Sequence, residues 1–261
     1  MTPIMVFDIE TVPDVEGGRR IHGLEGLSDE DAAKALAQLR VQKTGNDFLA
    51  HHLHRIVAIS VVLATRDRLA VWSLGDEDSS EKELLSRFFE GVDRYSPTLV
   101  TWNGGGFDLP VIHYRTLLHG VSAARYWEMG DDDREFRYNN YLSRFHWRHT
   151  DLMDVLAGFQ MRANAPLDEV ASLLGFPGKM GMSGAKVWDA YLAGDMRGIR
   201  NYCETDVLNT YLVYLRFERM RGRLTEQALE TELERVRQML AESPEAHLTA
   251  FLDAWPAGKR A

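Results

Sequence analysis

Between Ile56 and Ala64 the chain reads IVAISVVLA, an apolar run rich in β-branched residues. Such a run offers water no polar face. It therefore needs cover on both sides and reads as an interior strand of a layered sheet. The neighbouring segments supply the layers. Arg68–Leu74 alternates after a turn, so it pairs with the first run as a hairpin. Ile4 to Ile9 reads as a second buried strand and Thr98–Trp102 as a short third. Residues 80–93 carry helical spacing through Leu84, Leu85, Phe88, Phe89 and Val92. Asp108–His119 reads as a helix with Pro110 in its first turn, where a missing N–H costs little. Residues 14–52 look less regular, with a short helical pattern over Asp29–Leu39 that Ser28 caps.

After residue 150 the pattern turns helical. DLMDVLAGF, LDEVASLLGF, AKVWDAYLAG and the long MRGIRNYCETDVLNTYLVYLRFERM all have helical spacing, and a charged helix follows from Thr225 to Ala241. Strands first and helices later predict an α/β protein, a mixed sheet flanked by helices with a mostly helical C-terminal part. At 261 residues this is one large domain or a domain with an appendage. We divide it into a domain over 1–222 and a helical extension over 223–261 packed on it.

Composition removes several classes of function. No run of about 18 apolar residues is present, so no membrane-spanning helix is expected. The N-terminus lacks the basic-then-apolar pattern of a signal peptide. The single cysteine, Cys203, allows no internal disulfide and favours a cytoplasmic setting. A net charge of −9 argues against a general nucleic-acid coat protein. Lysine is sparse (Lys34, Lys43, Lys82, Lys179, Lys186 and Lys259), so arginine carries most positive charge.

Three stretches carry acids where a buried segment should not. In VFDIETVPD, alternation along a strand points Asp8 and Glu10 to one side and Ile9 to the other. Two like charges there need a cation between them, and Mg²⁺ favours such carboxylates; a chance Asp-x-Glu is the plain alternative. In TWNGGGFDLP, Asp108 follows a strand and three glycines that would let another chain approach. The plain alternative makes it a helix N-cap. The stretch has neither the Lys-Ser/Thr end of a Walker A loop nor a full GxGxxG pattern. In NYCETDVLNTYLVYLR, Tyr202 and Asp206 share a helical face at i, i+4. They serve either as a site or as a simple Tyr–Asp hydrogen bond.

Taken in order, Asp-x-Glu, Asn-x-x-x-Phe-Asp and Tyr-x-x-x-Asp resemble the DEDD superfamily of 3′–5′ exonucleases. The tyrosine subtype fits, because Asn201 stands where the histidine subtype has its histidine. FDIETVPD, RIVAISVV, TWNGGGFDLPVI, HTDLMDVL, LLGFPGKMGMSG and the VWDAYLAGD to YLVYLR stretch look like stand-alone bacterial proteins related to the exonuclease domain of family B DNA polymerases. That similarity covers roughly residues 4 to 216. It implies a ribonuclease H-like fold and two divalent cations, Mg²⁺ or Mn²⁺, held by Asp8, Glu10, Asp108 and Asp206. It also implies that Tyr202 positions the attacking water, a role that suits a phenol better than proton abstraction does. The implied reaction releases 5′-mononucleotides from the 3′ end of a single strand, with DNA favoured and RNA open.

The resemblance further marks Asn103 and Phe107 as substrate contacts, and Ile9, Thr11 and Lys179 are candidates beside them. For Asn103 and Phe107 a turn residue and a core ring are equal alternatives. Asp151 is either a supporting acid or a helix cap. Lys179 and Lys186 bracket MGMSG and would meet phosphates, unless that loop is simply solvated. Residues 125–148 interleave arginines and aromatics as single-strand grips do, although nearby acids cancel their charge; an ordinary packed loop is the alternative. His51, His52 and His54 lack a nearby cysteine and make a poor zinc site. Competing functions are an exoribonuclease or oligonucleotide-degrading enzyme, a phosphoesterase of small nucleotides, and a silent nucleic-acid-binding module. The last should have lost an acid, and none is lost.

Overall fold

The computed structural model describes residues 2–256. The last five residues of the 223–261 extension, and Met1, lie outside them. Strands β1 (Ile4–Pro13), β2 (His54–Ala64), β3 (Leu69–Ser73), β4 (Thr98–Thr101) and β5 (His149–Asp151) form one sheet in the order β3-β2-β1-β4-β5. β1 pairs antiparallel with β2 and parallel with β4. β2 pairs antiparallel with β3, and β4 parallel with β5. The IVAISVVLA run thus lies inside the sheet. A mixed sheet of this order with helices on both faces is a ribonuclease H-like α/β fold.

The helices are α1 (Val15–His22), α2 (Asp29–Thr44), α3 (Glu81–Tyr95), α4 (Asp108–His119), α5 (Leu152–Leu156), α6 (Leu167–Leu173), α7 (Val187–Leu192), α8 (Met196–Met220), α9 (Glu226–Ala241) and α10 (Ala246–Ala254). Alternation along β1 sorts the two layers. Met5, Phe7 and Ile9 pack with Leu84, Leu85 and Phe88 of α3 and with Val111 and Ile112 of α4. Ile4 and Val6 pack with Val207, Leu208 and Tyr211 of α8. On that second face Asp8 and Glu10 come next, and Val12 then resumes apolar packing with Val187, Ile199 and Tyr202. The two acids therefore fill a gap between apolar clusters, beneath α8.

Several expectations change. Residues 14–52 are mostly helical, and α2 runs on to Thr44. Consecutive glycines mask α1. They are tolerated because Asp14 caps Gly17 N at 3.0 Å and because a Cβ on Gly18 would strike Leu36 Cδ1 at 2.5 Å. Ser28 caps α2 as its sequence indicates. β5 is three largely polar residues, too short and too polar for a periodicity signal, and its backbone pairing with β4 defines it. α10 escapes notice for its brevity, yet Leu248 and Phe251 are buried in the α8–α9 core.

The interleaved stretch 125–148 divides between core and surface: Trp127, Tyr138, Phe145 and Trp147 are exposed. Tyr126, Phe136 and Tyr141 are buried. Arg125 and Arg148 lie 4.2 Å and 4.1 Å from the Phe136 ring centroid, so the arginines are used in packing. Among the described residues no helix is long and apolar enough to cross a membrane.

Candidate active site

The site is built on the middle of β1. One ligand atom each from Asp8, Glu10 and Cys203 lies within 4.8 Å of the others. Ile9 points the other way into the core, so its side chain is turned from the site, and only its backbone serves it. The β1–β2 register slips between Glu10 and Thr11. Such a bulge re-aims the side chains beside it. Thr11 Oγ1 sits 2.9 Å from His54 Nδ1.

Asp108 reaches β1 from α4. Its Oδ1 accepts the Ile9 N–H at 3.1 Å, which locks the helix start to the strand. Asp108 is not an N-cap: that position is Phe107, whose side chain makes no cap bond. The glycines before it serve the loop's own folding. A Cβ on Gly104 would lie 2.5 Å from Thr101, and one on Gly106 would lie 2.5 Å from Asn103 Oδ1. Asn103 itself adopts a left-handed φ of 63°. Asp151 accepts from Asn103 N at 2.9 Å and Gly105 N at 2.8 Å, besides capping α5 through Asp154 N. Asp151 therefore caps a helix and pins the loop that carries Asp108.

Helix α8 brings Tyr202, Cys203 and Asp206 over β1. The Tyr202 hydroxyl faces the Asp206 carboxylate, and the Cys203 thiol donates to Asp8 O at 3.5 Å and Oδ2 at 3.6 Å. Lys179 joins Tyr202 and Asp206 around a cleft of about 140 Å³, and its charge favours ionised Asp206. Lys186 is exposed at the start of α7 and does not line that cleft. A larger cleft of about 600 Å³ opens beyond Pro13, but its buried Arg115 is already bonded to Asp14 and Glu81.

Phe107 lies between α4 and the histidines. Its ring centroid is 5.0 Å from His54, 5.9 Å from His51 and 5.5 Å from Phe48. His51 Nε2 contacts Gly106 O, and His54 contacts Thr11 and Leu49 O. These histidines serve packing and loop geometry and do not form a zinc cage.

Proton affinities follow from this crowding. Asp8 and Glu10 are pushed well above the usual carboxylate range, first by burial and then by neighbouring acids: Asp108, Glu10 and Asp206 for Asp8, and Asp206 and Asp108 for Glu10. Burial also raises Asp108 to about 7 and Asp206 to about 6, although hydrogen bonds pull both down. Tyr202 is raised too, by burial and by the charge of Asp206. A phenol that holds its proton this firmly can donate a hydrogen bond but is no base.

A family profile described as "Predicted 3'-5' exonuclease related to the exonuclease domain of PolB" matches residues 46–255. The chain belongs to this family. The matched residues include Asp108, Tyr202 and Asp206; Asp8 and Glu10 precede them and are joined to them by the fold. The chain is also 35% identical over 80 residues to the catalytic polypeptide of DNA polymerase epsilon from Saccharomyces cerevisiae. That alignment spans 28% of this chain and 4% of the yeast polymerase polypeptide. The solved family B DNA polymerase of the hyperthermophilic archaeon Pyrobaculum calidifontis aligns with 97% of this chain and 27% of its own, at a TM-score of 0.47 and 17% identity.

Exonucleases of this kind use divalent cations, and the donor set here fits them. Carboxylates whose protons are held first by burial and then by mutual repulsion are oxygen ligands for a hard cation. Asp108 and Asp206 lie outside the tight group of Asp8 and Glu10 but face the same space. Two residues of the site escaped the sequence. Asn209 accepts Gly178 N at 3.1 Å and donates to Gly178 O at 2.8 Å, which fixes the loop that carries Lys179 to α8. Asp168 lines the same cleft. Asn209 lies seven residues after Tyr202 on the α8 face of Tyr202 and Asp206, a helical spacing that would have marked it.

Proposed function

We propose that this exonuclease-family chain hydrolyses single-stranded DNA from the 3′ end, releasing 5′-mononucleotides, with Mg²⁺ or Mn²⁺ at Asp8, Glu10, Asp108 and Asp206. The observation that carries the reading is the convergence of four acids from β1, α4 and α8 on one partly buried space, with Tyr202 beside them. Two divalent cations, when bound, would supply the positive charge that stabilises the attacking and leaving oxygens of an in-line displacement.

The chain's own residues have separate tasks. Tyr202 keeps its proton and orients the attacking water through its hydroxyl. Asp206 accepts from Tyr202 and fixes that ring. Asp108, tied to Ile9 N, holds the α4 side of the site in register with β1. Phe107 offers a ring to the terminal nucleotide, with Thr11 and Asn103 as polar contacts. Lys179 meets a phosphate. Asp151 acts through the glycine loop and touches no substrate. Residues 1–222 make up the nuclease domain, with 223–261 as a packed extension, and the chain is assigned to the cytoplasm.

The test uses 5′-labelled single-stranded DNA and RNA of matched sequence with Mg²⁺ or Mn²⁺, beside Asp206→Ala. The expected result is a ladder that shortens from the 3′ end, faster on DNA, and that is lost in the variant and in chelator. Faster loss of RNA would transfer the assignment to an exoribonuclease. Cleavage confined to the shortest chains would mark an oligonucleotide-degrading enzyme. No cleavage of any length would sink the nuclease reading.

A further inference from the structure

We propose that Asp8, Glu10 and Cys203 form a mixed oxygen–sulfur site for one thiophilic cation, Zn²⁺ or Cd²⁺, whose binding shuts off the nuclease; the second half rests on the function proposed above. The three donors already stand together, within 4.8 Å. The Cys203 Sγ to Asp8 Oδ2 distance is 3.6 Å. A tetrahedral Zn²⁺ with bonds of about 2.3 Å to sulfur and about 2.1 Å to oxygen sets those two atoms about 3.6 Å apart. The thiol and carboxylate thus occupy two corners of such a polyhedron before any metal arrives.

Glu10 gives an independent indication. The residue is 7% exposed, and among the described residues its carboxylate accepts no protein hydrogen bond. With no protein donor of its own, this carboxylate is open to a cation, and it turns toward the same space as the thiol. Cys203 is fully buried on α8 and is the chain's single cysteine. Its thiol donates to Asp8, and the Ser60 hydroxyl also hydrogen-bonds the sulfur.

Hard and soft cations would use this donor set differently. Mg²⁺ takes oxygen ligands and leaves a thiol aside, so Cys203 stays protonated and bonded to Asp8. Zn²⁺ and Cd²⁺ accept thiolate; the thiol proton passes to solvent as the sulfur–metal bond forms. Asp8 and Glu10 are then committed to the soft cation and cannot serve the hard ions of the reaction.

The experiment titrates the metal-free, reduced full chain with Cd²⁺ and follows ultraviolet absorbance. With one cysteine, any sulfur-to-cadmium charge-transfer band reports Cys203. The expected result is a band that saturates at one equivalent, is absent from Cys203→Ser, and needs more than about tenfold more Cd²⁺ in Glu10→Gln. Zn²⁺ should inhibit Mg²⁺-supported strand cleavage reversibly, and the ratio of rates with and without Zn²⁺ should move toward one in Cys203→Ser. If serine at this buried position prevents folding, Cys203→Ala and the Glu10→Gln titration carry the comparison. No band in the wild-type chain overturns the site, as does a band whose Cd²⁺ dependence Glu10→Gln leaves unchanged. The band needs no substrate. A saturating band in a chain that cleaves nothing therefore keeps the metal site and removes only the inhibitory role.

Discussion

The role of Tyr202 turns on one proton. Burial and Asp206 hold the phenol protonated, so the part proposed for it is to donate and orient. Tyr202→Phe should lower single-turnover cleavage about 100-fold, the scale of a lost positioned proton partner, with little change in melting temperature. Unchanged cleavage would remove the role. The carboxylates make a pH prediction. Asp108 rises from 3.8 to about 7 and Asp206 from 3.8 to about 6 on folding. A group whose folded value is raised contributes stability at pH below its unfolded value and loses it as pH climbs through the folded one. The metal-free protein should therefore lose melting temperature between about pH 4 and about pH 7 through these groups. Mn²⁺, bound at the proposed site of the folded chain, should restore it, with a gain that grows over the same window. A Mn²⁺ effect that is flat across pH in scanning fluorimetry would contradict the electrostatic picture.

Elements are held in register by a few buried polar groups. Arg115 on α4 bonds Asp14 at the end of β1 and Glu81 at the start of α3, and Glu81 also accepts Ile56 N at 2.7 Å. Removing one partner of a buried ion pair costs about 3–5 kcal/mol because the remaining charge is stranded. Arg115→Met should destabilise by about that much in urea titration, more than any surface ion pair here. On the other layer, Asn209→Ala leaves the Gly178 amide unpaired, a loss of about 1–3 kcal/mol. Its first sign should be faster proteolysis within 178–186, together with weaker substrate binding from a displaced Lys179. Equal proteolysis of both proteins would mean the loop is held by other contacts.

The whole molecule depends on its C-terminal helices. Leu229, Val236, Leu240, Leu248 and Phe251 complete the cluster that buries Val207, Leu208 and Tyr211 of α8. His247 on α10 reaches Glu204 at 2.7 Å, and Glu204 accepts from Ser73 at 2.6 Å, which ties the extension to the sheet. A chain ending at 222 would expose one face of the helix that carries Tyr202 and Asp206. It should be recovered insoluble or partly unfolded by circular dichroism; a soluble, cooperatively melting 1–222 chain would show that the extension is separable.

Much of the fold could be read in advance, because β2, β3, α3, α4 and α8 each repeat an apolar pattern long enough to show its period. The side-by-side aim of Asp8 and Glu10 follows from strand alternation alone, and the face shared by Tyr202 and Asp206 from helical spacing. What the sequence could not supply came from contacts between distant segments. The polar three-residue β5 exists because β4 pairs with it. Arginines and aromatics of 125–148 look alike on paper whether they grip a strand or pack on Phe136, and only burial separates the two. Cys203 looks like an ordinary helix residue until the crossing of α8 over β1 brings its sulfur to Asp8. Local periodicity is set by neighbours along the chain; which side chains meet across 195 residues is set by how the layers stack.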